Sequence, residues 1–144
     1  MKKTILIAGG SGFIGYHLAK KALKKKYSVS IISTKRPFKK RHLKKVKYIY
    51  CDITNKKKLK KKLNQNFDFI VNLAGYVNHQ EKTKTYNSHY KGCKNLADIF
   101  LKKKFISFLQ IGSSAEYGHS KAPHSEFTKC DIKSNYAKAK FDAQ

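Results

Sequence analysis

A glycine pattern at the start of the chain constrains its fold more than any other feature. Thr4-Ile5-Leu6-Ile7-Ala8 reads as a short strand, and Gly9-Gly10-Ser11-Gly12-Phe13-Ile14-Gly15 follows without a break. The next residues turn helical, with Ile14, Leu18 and Ala22 recurring on one face. Strand, glycine-rich turn and helix, in that order, wrap the pyrophosphate of a dinucleotide. Gly9 permits the sharp turn, Gly12 leaves the backbone open to the phosphates, and Gly15 lets the helix pack close to the strand. The helix N-terminus then directs unpaired N–H groups and the positive end of its dipole at the anion. Glycines also mark ordinary turns. The flanking strand and helix are what single out Gly9, Ser11, Gly12, Phe13, Ile14 and Gly15 as a cofactor loop.

The rest of the chain repeats the same alternation. Val29–Ser33 reads as a second strand and is followed by a basic loop containing Pro37. Tyr48–Cys51 reads as a third strand, after which Thr54 is placed to cap a short helix carrying Leu59 and Leu63. Residues 67–73 form a fourth strand. A helix over 85–103 shows Cys93, Leu96, Ala97, Phe100 and Leu101 on its apolar face. Residues 105–111 form a fifth strand, and Ser134 is placed to cap a last helix that the chain barely begins. This alternation predicts right-handed βαβ units: an α/β doubly wound parallel sheet, a Rossmann fold, in one domain over 1–144. Such sheets bind ligands at the carboxyl ends of their strands. The glycine loop, Asp52, Asn72–Gly75 and Ser113 all follow strand ends, so they are expected on one rim.

Composition narrows the class. With 144 residues, 40% of them hydrophobic, the chain can bury a core. No apolar run approaches the roughly 20 residues that span a bilayer. The five-residue run after Lys2 and Lys3 is short for a signal peptide, so the expected home is the cytoplasm. The net charge is +25, yet only Arg36 and Arg41 of the 33 basic residues are arginine. Arginine dominates bidentate phosphate and base readout. The lysine runs therefore read as solvated surface, with salt-sensitive attraction to polyanions but no specific nucleic-acid partner and no membrane partner. Cys51, Cys93 and Cys130 lack disulfide or zinc spacing, and the six histidines show no metal spacing, so no metal is expected.

The far end carries chemistry. Tyr136 and Lys140 stand four apart on the last helix and share a face. A nearby ammonium favours phenolate and suits a tyrosine to acid/base work. In so lysine-rich a chain, a coincidental pair is the competing reading. Ser113, just past a strand end and 23 residues before Tyr136, supplies a hydroxyl for the same substrate oxygen.

Taken with Ala8–Gly15, Cys51-Asp52-Ile53, Asn72–Gly75, Gly92–Leu96, Ile111–Gly118 and Tyr136–Lys140, the chain resembles the extended short-chain dehydrogenase/reductases, and among them the NAD(P)-dependent epimerase/dehydratase family of nucleotide-sugar enzymes. The resemblance implies hydride transfer on a nucleotide-sugar substrate. It implies Ser113 as catalytic serine, Tyr136 as acid/base, and Lys140 holding the nicotinamide ribose and tuning Tyr136. It also implies Asp52 and Ile53 at the adenine, Leu73, Ala74 and Gly75 flanking the cofactor, and a homodimer through the helices at 85–103 and after Ser134. Where the family often carries an acidic residue after the second strand, this chain has Ser33-Thr34-Lys35-Arg36. A hydroxyl and two cations suit the 2′-phosphate of NADP better than the ribose of NAD. His89 stands where the family's helix often has Asn. Family members continue well past the last helix begun here, so the sheet is expected to be truncated after its fifth strand, leaving an exposed edge. The alternative reading is a sensor or scaffold that binds NAD(P) without turnover.

Overall fold

The computed structural model describes residues 2–144. Its strands are β1 (Thr4–Ala8), β2 (Ser28–Ser33), β3 (Val46–Tyr50), β4 (Phe69–Asn72) and β5 (Ser107–Gln110). They form one all-parallel sheet in the order β3-β2-β1-β4-β5. The chain moves outward from β1 to β3, then crosses back to place β4 on the other side of β1. The order therefore reverses between β1 and β4, where a doubly wound sheet opens a crevice.

Alternation along the strands sends side chains to two cores. Ile5 and Ile7 of β1, with Val29 and Ile31 of β2, pack against Ala19 and Ala22 of helix α1 (Phe13–Lys24). Leu6 and Ala8 face the other way with Ile32 and Ile70. They meet Leu59 of α2 (Lys56–Lys62) and Leu96, Ile99 and Phe100 further on. Both faces of β1 are apolar because both are covered, as the near-continuous apolar run predicted.

The helix expected over 85–103 is built in three pieces: α3 (Lys82–Tyr86), a π-helical turn (Asn87–Lys91) and α4 (Gly92–Phe100). The π turn precedes the predicted apolar face, of which Cys93, Leu96 and Phe100 are buried as expected. Leu101, expected inside, is the C-cap of α4 and 74% exposed, while Ile99 joins the core. Gly92 lies so close to Ile53 that a Cβ there would come within 2.5 Å of the isoleucine.

Two local expectations change. Thr54 does not cap α2: its amide and hydroxyl both donate to Asp52 Oδ1 at 2.8 Å, and Asn55 caps instead, accepting from Lys58 N at 3.0 Å. The tight turn on Asp52 moves the cap one residue on. The fourth strand is shorter than expected because Asp68 leaves the ladder to accept from Thr4 N at 2.6 Å and Thr4 Oγ1 at 2.8 Å. The final helix, α5 (Asn135–Phe141), is capped by Ser134 as expected, with Ala137 N donating to its hydroxyl at 3.0 Å.

β5 is an open edge of the sheet, as anticipated. Its register pairs Leu109 with Val71, on the face that α1 covers only near β1 and β2, and Leu109 is 46% exposed. Among the described residues no helix is long and apolar enough to cross a membrane.

Candidate functional site

The glycine loop leaves β1 and crosses the exit of β4 at close range. Gly9 has φ +75°, and a Cβ there would sit 2.8 Å from Ala74 N and the Leu73 carbonyl. Only glycine meets both demands cheaply. Gly15 packs against the loop itself rather than the strand, since its Cβ would lie 2.7 Å from the Gly9 carbonyl and closer still to Gly10. Gly12 is the N-cap of α1, with no side-chain cap, and the only atom crowding its Cβ position is the Gly9 carbonyl at 3.3 Å. The first-turn N–H groups of Phe13, Ile14 and Gly15 are thus left for an anion, helped by the dipole and by the absence of acidic residues in that turn.

Beside this loop lies a cavity of about 640 Å³. Four strand exits wall it: Gly9, Ser11 and Gly12 from β1, Thr34 from β2, Asp52 and Ile53 from β3, and Leu73, Ala74 and Gly75 from β4. Phe13, Ile14 and Gly15, in the first turn of α1 after Gly12, and Lys35 and Arg36, after Thr34, lie outside the wall. Ser33 closes the β2 corner, its hydroxyl 2.6 Å from that of Ser11 and donating to the Lys35 carbonyl at 2.8 Å. The β4 exit is set by Asn72, which is buried, donates to Gln110 Oε1 at 2.7 Å and accepts from Ala74 N at 3.2 Å. A glycine cradle that any side chain would fill and a free helix N-terminus are what a dinucleotide pyrophosphate requires, so these residues fit that cofactor.

The sequence did not single out Tyr76, Val77, Lys84, Asn87 and Ser88, which complete the wall. The signal was faint: only their place after a strand exit or in the following helix marks them. Tyr76 N donates to Ser88 Oγ at 3.0 Å, which ties the β4 loop to the π turn.

Ser113, Tyr136 and Lys140 lie outside the cavity wall. Ser113 caps a 3-10 turn (Ser114–Tyr117): its hydroxyl accepts from Ala115 N at 3.2 Å, and its amide donates to Glu116 Oε1 at 2.6 Å. That leaves the Ser113 O–H free to donate. Lys140 is buried, and its ammonium donates to the Ile111 carbonyl at 2.7 Å, at the end of β5. Burial holds its pKa below the usual lysine value, while Glu116 and Cys93 pull the other way. Tyr136 takes its neighbours from two histidines instead. The His79 ring stacks on it at 4.1 Å, with planes 13° apart, and His89 meets it edge-on at 5.0 Å. Tyr136 and Lys140 share α5, and the Lys140 ammonium has one partner that only the fold brings near, the Ile111 carbonyl.

Residues 5–144 match the NAD dependent epimerase/dehydratase family. The chain belongs to that family. It is 31% identical over 135 residues to the UDP-N-acetyl-alpha-D-glucosaminuronate decarboxylase of Bacillus cytotoxicus, covering 88% of this chain and 41% of that one. The ADP-L-glycero-D-manno-heptose-6-epimerase of Helicobacter pylori superposes with a TM-score of 0.86 at 26% identity, over 99% of this chain and 48% of that one. The same fold recurs in an enzyme of Bordetella bronchiseptica solved with NAD and UDP, at a TM-score of 0.89 and 17% identity, covering 99% and 48%. The chain thus spans less than half the length of these relatives. For an NAD-dependent family the glycine cradle is the expected cofactor loop. Among the described residues no cluster of His, Cys, Asp or Glu could hold a metal ion, and the three cysteines are unpaired.

Proposed function

We propose that this chain is the NAD(P)-binding part of an enzyme that works on a nucleotide sugar by hydride transfer, with Tyr136 as acid/base. The observation that carries the reading is the convergence of four strand exits on one cavity beside an uncapped helix N-terminus. Family membership and relatives named for nucleotide-sugar reactions support it.

In this reading the amides of Phe13, Ile14 and Gly15, with Gly9, Ser11 and Gly12, hold the pyrophosphate. Asp52 and Ile53 border the adenine, and Leu73, Ala74 and Gly75 form the floor. Thr34 stands at the ribose with Lys35 and Arg36 behind it, a set that favours the 2′-phosphate of NADP over NAD. Bound NAD(P) supplies the hydride donor or acceptor. Tyr136 gives or takes the proton at the sugar oxygen, help worth about 10²–10⁴ in rate. Ser113 donates its free O–H to the same oxygen and shares the developing charge. Lys140 spends one of its three donors on Ile111 and keeps the others for the ribose and phenol.

Thermal-shift titration on this chain tests the first half. At 100 times Kd a ligand adds about 2.7 kcal/mol, or roughly 5–10 °C in a domain of this size. NADP is expected to give the larger shift. Joined to a substrate-binding half, Tyr136→Phe should abolish turnover and leave cofactor affinity unchanged; retained turnover would falsify the acid/base role. A second reading, a sensor or scaffold that binds NAD(P) without turnover, is favoured by the His79 ring lying flat on Tyr136. Tight NADP binding with no turnover of any carbonyl by the joined protein would select it.

A further inference from the structure

One buried side-chain atom among the described residues has no hydrogen-bond partner: Nδ1 of His89. The ring sits in the π turn and is only 6% exposed. Its other nitrogen, Nε2, lies 3.3 Å from the Tyr76 carbonyl. A carbonyl only accepts, so Nε2 carries the hydrogen. Burial disfavours the charged ring, and Lys140 and His79 add to that effect against the weaker pull of the Tyr76 carbonyl. A neutral ring protonated at Nε2 leaves Nδ1 as a bare acceptor. Native structures leave such an atom unpaired mainly where a ligand or an ordered water completes it.

The surroundings say where a donor comes from. The ring presses on Gly75, where no side chain beyond hydrogen fits, and Gly75, Tyr76, Asn87 and Ser88 all wall the cavity. The ring also meets Tyr136 edge-on, and the exposed His79 is 6.2 Å from it, lying over the same tyrosine. His89 thus spans the distance from cavity wall to proposed acid/base, and His79 covers that corner.

We propose that a nucleotide sugar seated at Tyr136 displaces the His79 ring and donates one of its hydroxyls to His89 Nδ1, which makes His89 a specificity-determining residue of the site. This rests on the function proposed above and names one further contact to its substrate. A ligand offering a hydroxyl at that point is accepted. One offering a carbonyl there faces two acceptors with no hydrogen between them and is refused.

The test is ¹⁵N NMR of the histidine-labelled chain, with UDP-glucose as probe. The free chain should show His89 as the Nε2–H tautomer. With the chain joined to a substrate-binding half and loaded with NADPH, saturating UDP-glucose should move the Nδ1 signal towards a hydrogen-bonded position and shift the ring signals of His79. His79→Ala should tighten UDP-glucose by about two- to tenfold, the worth of one aromatic stack. His89→Leu should weaken it more than tenfold with NADPH affinity unchanged, and His89→Asn, which keeps an acceptor, should restore most of the loss. An Nδ1–H tautomer in the free chain, or an Nδ1 signal that ignores UDP-glucose bound to the joined, NADPH-loaded protein, overturns the assignment. Absence of the NADPH shift sinks the cofactor reading instead, and the free-chain tautomer still judges His89 by itself.

Discussion

Two glycines three residues apart should fail in opposite ways. Gly9 holds φ +75° and faces backbone at 2.8 Å on the β4 exit. Gly9→Ala forces an L-residue into the left-handed region, at about 1–2 kcal/mol. It also pushes a methyl into Leu73 and Ala74, where overpacking costs typically 1–3 kcal/mol. The sum, about 2–5 kcal/mol, corresponds to a fall in melting temperature of roughly 5–15 °C for a chain of this length. Gly12 is extended, at φ −74° and ψ 179°, and its Cβ would meet only the Gly9 carbonyl at 3.3 Å. Gly12→Ala should therefore cost under about 1 kcal/mol, the N-cap preference alone. Its methyl instead occupies the space through which phosphates reach the helix N-terminus. Circular-dichroism melting with and without NADP separates the two. Gly9→Ala should melt early in either case, while Gly12→Ala should melt almost normally and lose the shift given by the cofactor. Equal melting temperatures for the two variants, or a Gly12→Ala chain that keeps its full cofactor shift, would refute the reading of this loop.

Other outcomes follow from the same geometry. Phe100, fully buried and edge-on to Phe67 at 6.0 Å, anchors α4 on the sheet, so Phe100→Ala should cost about 3–5 kcal/mol in urea unfolding. The backbone and hydroxyl donors of Thr4 hold Asp68 below the ordinary aspartate value of 3.8. In the window beneath that value the unfolded chain binds more protons than the native one, so stability should fall as pH drops through it. Asp68→Asn should flatten this acid limb in urea midpoints measured across pH, and an unchanged limb would assign the acid sensitivity elsewhere.

Much of the fold was legible because its determinants are local. Strict alternation and short apolar runs marked five strands, and glycine placement marked the turn that only glycine can make. Right-handed crossovers were expected from the alternation, whereas the order β3-β2-β1-β4-β5 came from the structure. The rim on which the glycine loop, Asp52 and Gly75 meet was readable for the same reason, since each follows a strand end, while Ser113, expected there too, lies outside the cavity wall. The cap of α2 was misread by one residue because the Asp52 carboxylate competes for Thr54, and the propensity of a threonine says nothing about that competition. Leu101 was misplaced because α4 ends at Phe100 and leaves it as the C-cap, and helix ends are poorly marked by apolar periodicity.

The sequence by itself determined the parallel α/β plan, the glycine loop and the residues at each strand exit, since these depend on neighbours a few positions apart. The tertiary structure alone decided which partner each polar group takes. Lys140 and Tyr136 share a helix, yet the ammonium binds a carbonyl 29 residues away while two imidazoles close on the phenol ring. Hydrogen bonds and ring contacts are short-ranged, so their choice waits until the sheet and helices have brought distant residues within a few ångströms.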